Sequence, residues 1–144
     1  MHRYQILMEY VGTNFYGWQY QKKQITVQGT VEKTLKKIIR EKVKLYGSGR
    51  TDSKVHAIEQ SAHFDVKNKI NNIKKFFKTL NFFLNEKFIT VLKIKKRPLT
   101  FHARYSAKKR IYKYLIHNRE SLPSIDRDRG WYVKKSITLF KRNT

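Results

Sequence analysis

The sequence predicts an α+β domain with a largely antiparallel sheet and both helices packed on one of its faces. Three observations predict it: stretches in which buried-type and polar residues alternate, two stretches with apolar residues at helical spacing, and the order in which these come. That order is strand, helix, strand, loop, strand, helix, strand, strand, and it leaves the other face of the sheet free to form a cleft.

Over 4–10, Tyr4, Ile6, Met8 and Tyr10 alternate with Gln5, Leu7 and Glu9, the period of a strand with one face more buried than the other. Residues 11–14 break the pattern, and an aromatic loop, Phe15-Tyr-Gly-Trp-Gln-Tyr-Gln21, follows. Trp18 and Tyr16 are each compatible with core or with an exposed contact. From Thr26 the period changes, and Val27, Val31, Leu35, Ile38 and Ile39 line one helical face with Thr26 as the N-cap. Residues 43–46 read as a short strand leading into a glycine loop, and 61–66 as the strand that leaves it. The spacing of Ile70, Ile73, Phe76, Phe77, Leu80 and Leu84 predicts a second helix over 70–84. Strands are expected at 89–94 and 111–116, a long loop at 118–129, and a short strand at 131–133.

At 144 residues the chain suits one ordinary core, so a single domain over 1–144 is expected. It has no cysteine, which excludes disulfides and thiolate metal sites. No apolar run approaches the roughly 20 residues of a membrane helix, and the N-terminus enters its strand without an apolar signal region, so a cytoplasmic protein is expected. The net charge of +23 draws polyanions, nucleic acid first and an anionic membrane second. The 23 Lys, 13 Ile and 8 Asn are also what an A/T-biased coding sequence yields. Lys outnumbers Arg 23 to 10, which favours diffuse backbone attraction over bidentate readout.

Against this charge, the loop Gly47-Ser-Gly-Arg-Thr-Asp-Ser-Lys-Val-His-Ala57 holds one of only four aspartates, Asp52, two residues after Arg50. By itself an Asp among glycines reads as a turn residue bonding its own backbone. Four further motifs change that reading: Phe15-Tyr-Gly-Trp-Gln-x-Gln21, Thr26-Val-Gln28, Phe101-His-Ala-Arg-Tyr-Ser-Ala107 and Arg110-x-Tyr-x-Tyr114. Together, and in this order, the five resemble the tRNA pseudouridine synthase A family, over most of the chain.

The resemblance implies a ferredoxin-like pseudouridine synthase half-domain and an isomerase that converts uridines at tRNA positions 38, 39 and 40, in the anticodon stem-loop, to pseudouridine. It implies tRNA as partner, a homodimer, and no cofactor. Asp52 matches the family's catalytic aspartate, Arg50 the arginine that holds the extruded nucleotide, and Tyr112 the tyrosine that packs against the target base. Such chemistry needs an ionised carboxylate, which a neighbouring cation favours. It also needs the base out of its stack, and an aromatic face returns about 1–3 kcal/mol of the lost stacking. Tyr112 is equally readable as an ordinary core aromatic. His56, His63 and His102 read as structural hydrogen-bonding residues, and no ligand spacing argues for a metal.

The chain departs from the family at Lys54, which stands where the family has glycine. If that position is left-handed, a lysine costs roughly 1–2 kcal/mol there. Asn85 replaces an expected proline and Lys87 an expected aspartate. Family members continue into a second half that supplies one wall of the cleft, and 136–144 does not resemble that continuation, which is consistent with a truncated or frameshifted reading frame and equally with a chain cut on purpose. The competing expectation is a basic RNA-binding fragment of the family that does no chemistry; a third is a generic basic nucleic-acid-binding protein.

Overall fold

Strand β1 (His2–Tyr10) is the spine of the sheet, because its alternation buries Tyr4, Ile6, Met8 and Tyr10 on one face. It pairs antiparallel on one side with β3 (Ala57–Val66) and on the other with β4 (Ile89–Arg97), while β2 (Leu45–Gly47) pairs antiparallel with β3. The resulting order, β2-β3-β1-β4, together with helix α1 (Val27–Ile39) and helix α2 (Ile73–Leu84) between strands, is the ferredoxin-like βαββαβ arrangement. This computed structural model describes residues 1–139.

Both helices bury their apolar stripes in one core with the sheet. Val27, Val31 and Leu35 of α1 and Phe76, Leu80 and Leu84 of α2 join the β1 residues there, together with Ala62, Phe64, Ile89 and Val91. Burial of such side chains stabilises by about 1.5–3 kcal/mol each. The helix starts are set by caps: Thr26 Oγ1 accepts from the Gly29 amide at 3.2 Å, as the sequence predicts, and Asn72 Oδ1 accepts from the Lys75 amide at 2.9 Å. The second cap starts α2 at Ile73 rather than at residue 70, whose amide instead donates to the Tyr4 hydroxyl at 3.0 Å. Asn85 donates to the Ile89 carbonyl and to Thr90 Oγ1, tying the helix end to the start of β4.

Each helix also reaches an outer strand with polar side chains. Glu32 accepts from the Leu45 amide at 2.9 Å while Gln28 donates to the Leu45 carbonyl at 2.9 Å. On the other side Asn81 alone makes both bonds, accepting from the Val91 amide at 2.7 Å and donating to its carbonyl at 3.0 Å.

The sheet face away from the helices is not wholly open, contrary to the free cleft expected from sequence. Residues 98–106 fold over one end of it because Arg3 holds them there, donating to the carbonyls of Leu99 (2.7 Å) and Phe101 (2.6 Å) while its other nitrogens grip both oxygens of Asp65 at 2.7 Å. Phe101 and Ala103 are consequently buried.

The chain divides into two compact units, Met1–Lys108 and Lys109–Thr144. In the second, β5 (Ile116–Asn118) pairs parallel with β6 (Trp131–Val133), the latter where the sequence predicts it. Asn118 fastens the unit, donating to the carbonyls of Val133 and Lys135 and accepting from the Ile137 amide. The strand expected over 111–116 is a correction: only Ile116 of it belongs to a strand. Residues 109–115 have the alternation of a strand but no strand pairs with them among the described residues, and Ile111, Tyr112 and Tyr114 are exposed. Periodicity registers side-chain pattern, whereas a ladder also needs a neighbour's backbone. The expectation for 136–144 falls partly on 140–144, outside the described residues. No described helix is long and apolar enough to cross a membrane.

Candidate active site

Strands β2 and β3 are joined by residues 48–56, and this connection is clamped from end to end against the segment that leaves β1. The Trp18 amide donates to the Thr51 carbonyl at 2.9 Å, and the Lys54 amide to the Phe15 carbonyl at 3.2 Å. The Tyr10 hydroxyl meets Thr51 Oγ1 at 2.7 Å, and the Gly12 amide donates to His56 Nδ1 at 2.9 Å. Burial pushes the Tyr10 phenol up, so it keeps its proton for this contact. From the sheet, Gln60 donates to the Gly49 carbonyl at 2.6 Å. A loop of otherwise polar residues is thereby fixed at five points.

Two glycines make the clamp sterically possible. A Cβ on Gly12 would stand 2.0 Å from the Val55 carbonyl oxygen. Gly17, at φ +80°, lies so close to the Thr51 carbonyl that a Cβ there would be 2.8 Å from it. Trp18, left open by the sequence, is core at 3% exposure, whereas Tyr16 is 52% exposed. The aromatic segment thus splits its roles: Phe15 and Trp18 anchor, and Tyr16 faces outward beside the loop.

What the clamp presents is Asp52. Its side chain is exposed, as is that of Arg50, and the two make no ion pair with each other. The structure brings Arg50 and Asp52 into one loop, while Tyr112, 66% exposed, belongs to the second unit. The sequence reading passed over Tyr10, Thr51 and Gly12. Gly12 before the aromatic loop and Gly17 within it were the signal for them, since a glycine beside a conformationally fixed loop marks close backbone approach.

After Asp52 the chain turns sharply, with the Val55 amide donating to the Asp52 carbonyl at 3.1 Å. Lys54 occupies the third position of this turn at φ +66°, the left-handed conformation in which type II turns place glycine. The conditional reading of Lys54 therefore resolves: the position is left-handed. Replacing Lys54 with glycine is expected to stabilise the chain by about 1 kcal/mol, the strain relieved less the entropy glycine adds to the unfolded state. The shift in urea midpoint measures it; a decrease in stability overturns the strain argument.

Under residues 98–106, on the face away from the helices, His63 is 1% exposed. Its ring lies 5.0 Å from that of Tyr46 and 4.6 Å from that of His102, and its Nδ1 accepts from the Ala103 amide at 3.1 Å. His63, His56 and His102 each accept a backbone amide at Nδ1, in keeping with the structural reading of all three. Burial, assisted by the charge of Arg3 and by His102, lowers the His63 pKa from 6.5 to about 4. Above pH 6.5 both folded and unfolded states hold it neutral and its contribution is intact. Between pH 6.5 and about 4 the unfolded chain takes up the proton first, so stability is lost, by about 3 kcal/mol in total. Asp65, held below its ordinary value by the Arg3 hydrogen bonds, adds a further loss at lower pH. His63→Gln, which keeps an acceptor for Ala103, is expected to flatten the pH 7 to 4.5 decline in urea midpoint. An unchanged decline would assign it to other groups.

Comparisons with known proteins bear on the family of the chain. Residues 6–106 match the family model described as tRNA pseudouridine synthase. Among curated proteins, the chain is 57% identical over 139 residues to the tRNA pseudouridine synthase A of Pelagibacter ubique, covering 96% of this chain and 56% of that protein. It is 43% identical over 134 residues to the protein of that name from Caldicellulosiruptor bescii, covering 93% and 54%, and 42% identical over 140 residues to that from Ehrlichia ruminantium, covering 95% and 56%. The chain spans about half the length of the curated relatives it matches.

Proposed function

The chain belongs to the tRNA pseudouridine synthase family, and from that membership we propose that it isomerises uridine to pseudouridine in the anticodon stem-loop of tRNA, at positions 38, 39 and 40, through the carboxylate of Asp52. One observation carries the assignment of the residue: Asp52 is exposed on a loop whose backbone is fixed on both sides of it, by Thr51 and by Lys54. A carboxylate so held keeps its reach while the substrate moves, as nucleophilic catalysis requires.

In the proposed reaction the bond from uracil N1 to ribose C1′ breaks, the base turns while the carboxylate attends the ribose, and a bond forms from C5 to C1′. C5 gives up its proton and N1 gains one, so the product is an isomer and no cofactor is consumed. Arg50, exposed two residues before Asp52, suits a phosphate of the extruded nucleotide. Tyr112, exposed in the second unit, has the free aromatic face a displaced base needs. A homodimer acting in the cytoplasm completes the proposal.

A second reading, an RNA-binding chain without catalysis, is favoured by the strained Lys54 two residues from Asp52. One experiment decides between them. The chain is incubated with an unmodified anticodon stem-loop whose uridines carry tritium at C5. Isomerisation releases the label to water in step with pseudouridine. A folded, RNA-binding sample that releases none overturns the enzymatic reading and leaves the binding one.

A further inference from the structure

Strand β4 carries a cation at every second position on the face away from the helices: Lys93, Lys95 and Arg97. The face follows from the register, since these residues stand opposite Leu7, Gln5 and Arg3, whereas Ile94 stands opposite Ile6 and packs on the core. At roughly 3.3 Å per residue the three span about 13 Å in steps of about 6.7 Å.

Among the described residues no acid is ion-paired with the row. Leu7 and Gln5 are uncharged, Arg3 is a further cation, and Asp65 is already gripped by Arg3 through both oxygens. Glu9, the remaining acid on this side of β1, stands opposite Thr90 and makes no ion pair with the row. The crowding shows in Lys95, whose pKa is lowered chiefly by Lys93 and further by Arg97. Arg97 lies with its guanidinium 4.4 Å over the Phe101 ring, its Nε buried without a hydrogen-bond partner. Like charges held side by side on a sheet are destabilising, and a polyanion laid along them reverses the sign.

Position identifies the kind of polyanion. The Asp52 loop adjoins the end of the sheet where Tyr10 stands opposite Ala57, and Lys93 stands opposite Leu7, three residues or about 10 Å further along β1. The row therefore begins about 10 Å along β1 from the strand end that the loop adjoins and runs away from it, a path that a strand a few nucleotides long can follow.

We propose that Lys93, Lys95 and Arg97 form a stripe that takes the phosphates of an RNA strand whose target nucleotide lies at the Asp52 loop. The second half of this statement rests on the isomerase reading; the stripe itself is tested by binding.

A fluorescently labelled RNA stem-loop is titrated with the chain, by anisotropy, between about 50 and 200 mM salt. The variant Lys93→Ala/Lys95→Ala, which spares the packed Arg97, is compared with Lys74→Ala/Lys78→Ala, exposed residues of α2 that remove the same charge. The stripe variant is expected to lower the slope of log K against log salt by roughly 1.4–1.8, two phosphates at about 0.7–0.9 each, and to weaken binding about tenfold or more. The helix variant is expected to keep the wild-type slope and lose less than about threefold. Equal losses from the two pairs, or an unchanged slope in the stripe variant, overturn the stripe in favour of unlocalised charge. Tritium release read on the same samples separates the two ideas: a stripe effect without release leaves the stripe and removes the isomerase, and release without a stripe effect does the reverse.

Discussion

Asp52→Asn is expected to reduce pseudouridine formation by at least about a thousandfold while leaving the fold and RNA affinity unchanged. Removing a nucleophile or its charge removes an interaction made chiefly in the transition state, and losses of that order or larger accompany such changes in other enzymes. The prediction is sharp because none of the bonds described for the loop uses the Asp52 side chain: its backbone carbonyl accepts from the Val55 amide, the Thr51 carbonyl before it accepts from Trp18, and the Lys54 amide after it donates to Phe15. A surface change of this kind leaves stability within about 0.5 kcal/mol. The urea midpoint and the stem-loop dissociation constant are the controls. Retained product formation would remove Asp52 from the chemistry, and a large fall in stability would make it the turn residue of the simpler reading.

Gly12→Ala carries the largest expected effect on stability, about 3 kcal/mol, with loss of activity as a secondary result. The added Cβ would lie 2.0 Å from Val55 O, 2.6 Å from Val55 C and 3.0 Å from Lys54 C, all backbone atoms that no rotamer change can move aside. Overpacking usually costs about 1–3 kcal/mol, and here relief also pulls the Gly12 amide from His56 Nδ1. The segment must then part from the loop at the turn that follows Asp52. Urea unfolding at pH 7 measures the loss. A variant as stable as the parent would show that the clamp is not the tight contact described, and would weaken the case that it aims the carboxylate.

Much of the fold was legible because it is encoded locally. The alternation at Tyr4, Ile6, Met8 and Tyr10 and the helical spacing from Val27 to Leu35 both placed their residues in the observed core. The Thr26 cap was visible as a polar residue at the change of period. Lys54 was legible only conditionally: the sequence raised a left-handed backbone there as a possibility, and the structure has one. What escaped is held together across the chain. Arg3 meets Asp65 and the carbonyls of Leu99 and Phe101, 62 to 98 residues away, so the cover over one end of the sheet has no local signature. Tyr10 and Thr51 are 41 residues apart, and nothing in either neighbourhood names the other. The unmade strand at 111–116 is the converse error, a correct side-chain pattern that lacks the neighbour a ladder requires.

The polar reach of the helices onto Leu45 and Val91 has a consequence for how this chain behaves in company. A sheet four strands wide ends in two borders, each a potential template for a foreign strand. Here each border has its amide and carbonyl at one position already occupied, by Glu32 and Gln28 on one side and by Asn81 on the other. At those two positions a passing strand finds no groups left to zip onto, so edge-to-edge pairing is opposed at the short β2 and at the start of β4.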